Sequence, residues 1–397
     1  MKKIRTRYGR GLVQASIFIA LIIIVLLYDL YTDGKLSFKL LGIGDLNPYG
    51  GWSALHQFAT DSSYTFEGIS KSAALTAALL TIAVIGGRFF CGWLCPIGAM
   101  QDFSAWLGSK MKIPRFDTKV KKAFNPLFFK YPILLSILLI SILGYGAIIA
   151  GLSPWRALLS LLRLPYNWAE MKTGFAILMA VFLASMFLSR FFCRYLCPLG
   201  AAQALFGSLS LFSLKHGSGC SRCGICLDGC PVGIRLSAGS DTISPECIRC
   251  MDCIDGCKSQ GIQGIHHALG KKRISLKAYA SLMLTLFIFI WLGVPHLFAG
   301  SLHGADIRLG SLRDGTYQGE ARGFAGKILT EITITEGRIA EIKIIEHHES
   351  KGWYEEVFMM LPKEIIKKQS LQVDSISGAT KTSKGLIRSV ANAVNKA

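Results

Sequence analysis

Charge is scarce in this sequence. Only 17% of its residues are charged, where a soluble domain carries about 25%, and the deficit excludes an ordinary soluble fold. Acids are the rarer sign, 25 Asp+Glu against 44 Lys+Arg. No nucleic-acid-binding motif accompanies the resulting net charge of +19, so the excess reads as membrane topology plus an inner-leaflet surface. Thiols are absent from the C-terminal 140 residues, since the last of the twelve cysteines is Cys257. Histidines are few, eight in all. His56, His296 and the pair His347-His348 stand near apolar edges or on a polar strand, where histidine is usually structural, and none receives a role.

What is present is apolar sequence in long runs. Leu12–Leu30, Ala73–Phe90, Ile133–Ala150, Phe175–Leu188 and Ala278–Phe298 have, with their flanks, the roughly 20 residues that a membrane helix needs. The segment Ser153–Tyr166, with Arg156, Arg163 and two prolines, reads as interfacial. No small-residue cleavage site follows Tyr28-Asp29-Leu30, which argues for an anchor rather than a signal peptide. Five Lys+Arg precede the first run, eight lie from Arg88 to Lys130 and eleven from Arg190 to Lys277. The alternate segments, Tyr31–Lys71 and Gly151–Lys172, hold three each. Basic residues stay on the cytoplasmic side. The expectation is therefore an inside N-terminus, about five spans, and an outside segment after Phe298.

The basic segment between the last two runs contains Cys220-x2-Cys223-x2-Cys226-x3-Cys230-Pro231 and Cys247-x2-Cys250-x2-Cys253-x3-Cys257. This is the bacterial ferredoxin spacing for a [4Fe–4S] cluster, given twice. Three thiolates at three-residue intervals wrap one face of a cubane, and the fourth reaches the neighbouring cluster. The expected ligand sets are Cys220, Cys223, Cys226 and Cys257 for one, and Cys247, Cys250, Cys253 and Cys230 for the other. The fourth cysteine is expected to start a short helix, and Lys258 stands where the second motif usually has proline. Zinc sites use paired ligands rather than runs of four, and a cytoplasmic location disfavours disulfides.

The other four cysteines belong to an internal repeat. Arg88-Phe-Phe-Cys-Gly-Trp-Leu-Cys-Pro-Ile-Gly-Ala-Met-Gln101 matches Arg190-Phe-Phe-Cys-Arg-Tyr-Leu-Cys-Pro-Leu-Gly-Ala-Ala-Gln203. Each copy follows a span running inward, so the copies are parallel repeats about an axis along the membrane normal. The pairs Cys91/Cys95 and Cys193/Cys197 are four apart, which predicts one helical face for each pair. Four such thiols could hold a metal, act as a redox dithiol pair, or merely pack. Packing alone does not explain why both copies keep C-x3-C-P. Arg88 and Arg190 offset thiolate charge or mark the membrane edge.

From Asp314 the texture is that of a soluble α+β domain. Gly315–Gly323 reads as a glycine-punctuated strand or hairpin, Ile328–Thr335 and Ile339–Ile345 alternate around a Glu336-Gly337 turn, and Trp353–Lys368 is helical with Pro362 interrupting it. Lys384–Lys396 reads as a last helix with Thr382 or Ser383 as N-cap. Locally, Ser377-Gly378-Ala379-Thr380 is a turn feeding a helix start, a place that suits a phosphate.

Asp374-Ser-Ile-Ser-Gly-Ala-Thr380 resembles the flavinylation motif of FMN-binding domains, and Asp314–Gly323 resembles the start of that domain. The resemblance implies FMN joined through its phosphate to Thr380 by a flavin transferase of the ApbE type. Asp374, Ser377, Gly378 and Ala379 would surround the attachment point. That transferase acts outside the cytoplasm, on the side where the charge pattern puts Thr380. The first 300 residues resemble the NosR/NapH-type membrane polyferredoxins. The nitrous-oxide member carries its flavin domain before the spans, whereas here it comes last.

The fold expectation is a multidomain membrane protein. Its segments are 1–72 (first span and outer loop), 73–203 (the two repeats), 204–276 (cytoplasmic two-cluster ferredoxin-like insert), 277–304 (last span and linker) and 305–397 (extracytoplasmic α+β FMN-binding domain). Its cofactors would be two [4Fe–4S] clusters, covalent FMN and a possible additional metal centre at the paired cysteines. The functional expectation is an electron-transfer component of an oxidoreductase system in the cell membrane, not a stand-alone enzyme. Its partners would be membrane lipid, a cytoplasmic electron donor and an extracytoplasmic acceptor or reductase. A redox-sensing regulator, or an assembly or metal-reducing factor, is the alternative; no kinase, DNA-binding or output domain accompanies it. One gap stands open: about 30 Å of hydrocarbon is too far for one electron hop. The cysteine pairs could lie deeper, a partner could bridge, or the flavin domain could dip inward.

Overall fold

The computed structural model describes residues 6–32, 35–36, 41–49, 71–114, 129–143, 151–161, 164–216, 220, 223–224, 226, 229–234, 244–259, 265–270, 272–297, 312–349, 354–371, 373, 376 and 379–397. The chain divides into two units. One comprises Met1–Ile23, Thr76–Leu161 and Met171–Trp291; the other comprises Ile24–Leu75, Leu162–Glu170 and Leu292–Ala397.

Helix α1 (Thr6–Thr32) contributes residues to both units. The first repeat consists of α2 (Lys71–Gly86), the short α3 (Phe89–Trp93) and α4 (Pro96–Lys110). After α5 (Lys130–Ile142) and α6 (Pro154–Ser160), the second repeat follows the same plan with α7 (Leu164–Phe187), α8 (Phe191–Tyr195) and α9 (Pro198–Gly207). Then come β1 (Phe212–His216), α10 (Asp252–Ser259), β2 (Ile265–Leu269), β3 (Lys272–Arg273) and α11 (Leu276–Ile288), which continues through a π-turn at Phe289–Gly293. Strands β1, β2 and β3 form one antiparallel sheet, with Phe212 opposite Leu269 and His216 opposite Ile265.

Tyr8–Tyr31 and Leu276–Gly293 are long and apolar enough to cross a membrane, which points to membrane association. Lys71–Gly86, Lys130–Ile142 and Met171–Phe187 are apolar but shorter. Two of the five expected spans thus have full crossing length among the described residues. Helix α6, in the segment expected at an interface, buries Trp155, Ala157 and Leu159. Ser153 caps it by accepting from the Arg156 N–H at 3.4 Å.

In the second unit β4 (Gly315–Arg322), β5 (Lys327–Thr335) and β6 (Arg338–His347) form an antiparallel meander, followed by α12 (Glu355–Lys368) and α13 (Thr380–Val394). Glu336 and Gly337 both have positive φ, 53° and 69°, as a tight hairpin turn requires. Ile328, Thr330, Ile332 and Ile334 alternate inward along β5, and α12 and α13 cover that face with Val357, Leu361, Leu386 and Val390. A side chain at Gly319 would run into the Ser389 carbonyl, so α13 lies directly on β4 there. Pro362 does not interrupt α12, contrary to its expected effect. It is buried with Val357, Leu361 and Ile365, and packing on the sheet outweighs the missing hydrogen bond.

Candidate metal centres

The C-x3-C-P motif is built around a helix break. Helix α3 ends at Trp93, Leu94 turns, and Cys95 has extended dihedrals (φ −73°, ψ 119°) as the N-cap of α4. Cys197 repeats this before α9, with φ −71° and ψ 113°. Proline at the first helical position explains the order Cys-Pro, since its fixed φ starts the helix and the preceding residue is kept out of the α region. The Cys197 sulfur then accepts the Gly200 N–H at 3.3 Å. The expectation of one helical face for each pair is therefore corrected: the two cysteines of a copy belong to successive helices.

All four thiols nonetheless converge. Burial first, then neighbouring Cys193 and Cys91, push Cys197 up to about 12. Cys95 is raised by burial and by Cys193, Cys91 and Cys197. Three buried thiols and the half-buried Cys197 cannot share charge at this spacing without a cationic centre among them, so the donor set fits an iron–sulfur group. Among the described residues no three His, Cys, Asp or Glu side chains converge tightly enough for a single ion. A polynuclear cluster, being larger, holds its thiolates further apart.

The second ferredoxin motif packs against the first repeat. Cys91 shares a buried cluster with Val232, Ile234, Ile248 and Cys250, and Cys230 and Cys247 pack on it. The Trp93 indole donates to the Arg249 carbonyl at 2.9 Å. Gly92 lies against the Ile248 carbonyl and the Cys250 amide, with no room for a Cβ. Within the motif, Cys253 is pushed well up by burial and then by Cys250, Cys247, Cys230 and Cys226. Cys230 and Cys226, from the first motif, thus both come near the triplet of the second. Cys253 lies in the first turn of α10 and Cys257 a turn later, so the fourth cysteine does not start the helix. Cys257 is buried, Cys220 and Cys226 are half-buried and Cys223 is exposed.

Buried charges fasten the arrangement. Arg88 donates to the Glu246 carboxylate at 2.7 Å and to its carbonyl at 3.1 Å, Lys130 bonds the same carboxylate, and Tyr131 donates to it at 2.6 Å. Arg190 forks onto Asp102 at 2.8 and 2.5 Å, while Arg10 pairs with Asp102 at 3.7 Å and with Asp252 at 3.2 Å. Glu246 precedes Cys247 and Asp252 precedes Cys253, so each network ends beside a cluster cysteine. Glu246→Gln should destabilise the first unit by about 3–5 kcal/mol, because Arg88 and Lys130 would be buried facing one another without a counter-charge. Denaturant unfolding in detergent measures this, and a loss below about 1 kcal/mol would mean that the network is solvated.

Of the flavin-site residues, Asp374, Ser377 and Gly378 lie outside the described residues. Thr380 opens α13 and Ala379, its N-cap, is buried. Thr382 and Ser383 are not the N-cap. Thr382 donates to buried Glu349, and Ser383 accepts the Ile376 N–H at 3.0 Å and donates to the Ala379 carbonyl at 3.0 Å. Sequence reading missed Glu349, which also accepts from the Ala325 N–H at 3.1 Å beneath the start of α13.

Comparison with known proteins agrees with this layout. A sequence model of the FMN-binding domain matches residues 323–395, and one of a 4Fe-4S binding domain matches residues 72–114 and 172–216, the two repeats. Regulatory protein NosR of Pseudomonas aeruginosa is 31% identical over 217 residues, covering 50% of this chain and 29% of its own. Ferredoxin-type protein NapH of Haemophilus influenzae is 31% identical over 158 residues, 38% of this chain and 50% of its own. Methylamine utilization ferredoxin-type protein MauN of Methylorubrum extorquens is 32% identical over 163 residues, 40% and 53%. The chain thus spans about half or less of the length of each of these relatives. Together these define the class, an iron–sulfur protein joined to an FMN-binding domain. Within it the chain is similar to the NosR/NapH-type polyferredoxins, and its domains and relatives support an electron-transfer role.

Proposed function

We propose that the chain is a membrane redox conduit taking electrons from a cytoplasmic donor to FMN outside. Cys220, Cys223, Cys226 and Cys257 would hold one [4Fe–4S] cluster, and Cys230, Cys247, Cys250 and Cys253 the second. Cys91, Cys95, Cys193 and Cys197 would hold a third centre, and Thr380 would carry FMN as a phosphoester made by an ApbE-type transferase. Five spans with the ferredoxin segment inside follow from the distribution of Lys and Arg. A reductase or other soluble acceptor would take electrons from the flavin.

The observation that carries the reading is the contact of Gly92 and Trp93 with Ile248, Arg249 and Cys250. It brings the second ferredoxin motif against the helix that bears Cys91, which supports a chain of carriers. The protein's task is then to hold its centres close and dry while the cofactors carry the electrons. Anaerobic potentiometry with EPR on the purified protein, followed by an external oxidant, tests it. The clusters and then the flavin should reduce, and the oxidant should drain them through the flavin. Clusters that reduce while the flavin stays oxidised, even with native partners added, would overturn the conduit.

A further inference from the structure

The two repeats serve one another. The Gln101 amide donates to the Cys193 sulfur at 3.0 Å, and the Cys91 sulfur lies 3.1 Å from the Gln203 amide oxygen. Gln101 and Gln203 occupy matching places in their copies, and both are fully buried. The arginines cross in the same way. Arg190 bonds the Cys91 carbonyl, and Arg88 approaches the Cys193 carbonyl at 3.4 Å. A Cβ at Gly98 would stand 3.0 Å from Arg190, and one at Gly200 2.6 Å from Arg88. The glycine of each C-P-x-G-A therefore makes room for the other copy's arginine.

One detail breaks the symmetry. The Gln101 oxygen accepts the Phe192 N–H at 3.0 Å, leaving its NH2 for sulfur. Gln203 has the reverse orientation: its oxygen faces Cys91, and its buried Nε2 has no partner among the described residues. A buried donor without an acceptor is costly. A sulfur bound as a ligand has no proton to give. Turning the Gln203 amide over, a change of little shape, gives the Cys91 sulfur a donated N–H and makes the two sulfur contacts alike.

We propose that Gln101 and Gln203 are reciprocal positioning residues, each donating an N–H to the ligating sulfur of the other repeat and so raising the reduction potential of one shared iron–sulfur centre. Arg88 and Arg190 fix the backbone that carries those sulfurs. The inference rests on the reading that the paired cysteines hold such a centre. Hydrogen bonds to sulfur are among the levers that set these potentials, because they draw negative charge away from the cluster.

The test uses the full chain, purified anaerobically and reconstituted with ferrous iron and sulfide, as wild type, Gln101→Leu, Gln203→Leu and the double variant. EPR-monitored titration should resolve a third signal beside the two ferredoxin signals. Either single variant should lower its midpoint by a similar amount, about tenfold in the ratio of reduced to oxidised centre at a fixed potential, or about 59 mV for one electron. The double variant should lower it further, with the ferredoxin midpoints unmoved. If leucine prevents folding, Gln101→Met and Gln203→Met, closer in shape, give the same reading. A third signal indifferent to both glutamines, or sensitive to one alone, overturns the reciprocal arrangement while leaving the third centre in place. A wild type with iron for only two clusters and no third signal overturns the third centre itself, and this inference with it.

Discussion

Gly92→Arg, which copies into the first repeat the residue present at the matching place of the second, is expected to cost the protein its second ferredoxin cluster. The two copies read Cys-Gly-Trp and Cys-Arg-Tyr at this point. Arg194 is buried, with its guanidinium 4.9 Å from the centre of the Tyr195 ring. At Gly92 the same space is filled by the Ile248 carbonyl and the Cys250 amide, which are backbone and cannot swing aside. Added methylenes in a packed site cost about 1–3 kcal/mol, and a buried guanidinium without a partner adds its desolvation. The cheapest relief is for Cys247–Cys250 to lift away from Cys91. Iron analysis and EPR should then show one ferredoxin cluster gone, and a reduced ferredoxin-class donor should no longer reduce the flavin. Gly92→Ala should give an intermediate loss. A Gly92→Arg protein with full iron content and an unaltered rate would remove the junction from the route.

This glycine shows where sequence reading reaches its limit here. The ferredoxin ligands are legible because their geometry is local: three-residue spacing is enough to wrap a loop round a cluster. The repeat is legible because two copies of fourteen residues can be laid side by side. Why the copies share Arg, Gly and Gln is not legible, since the arginines and glutamines act in the opposite copy and the glycines make room for the arginines. Proximity to charge or a membrane edge were the available explanations for Arg88 and Arg190. Both are in fact bonded to a carboxylate and to the far repeat's cysteine backbone. The helix break between Cys91 and Cys95 could have been read from Pro96, because a proline at the first helical position places the preceding residue outside the helix. In the tail, strand alternation gave the meander directly. The hydroxyls of Thr382 and Ser383 looked like caps because capping is the commonest local use of such residues, but here they are committed to Glu349 and to the turn before α13.

Thr380→Val should abolish covalent flavin altogether. Valine keeps the shape and β-branching of threonine and removes only the hydroxyl, so the start of α13 and its seat on the sheet should persist. The helix N-terminus at Thr380 favours the phosphate that the attached FMN would place there, through the helix dipole. On a denaturing gel the wild type should fluoresce and Thr380→Val should be dark, with Thr380→Ser retaining signal because its hydroxyl can still form the ester. Fluorescence surviving in Thr380→Val would sink the assignment. The same gel tests sidedness if the transferase is supplied in two forms, one exported and one confined to the cytoplasm. Only the exported form should label a domain that lies outside. Labelling by the confined form alone would place the flavin with the clusters on the inner side, and the route would then no longer cross the membrane.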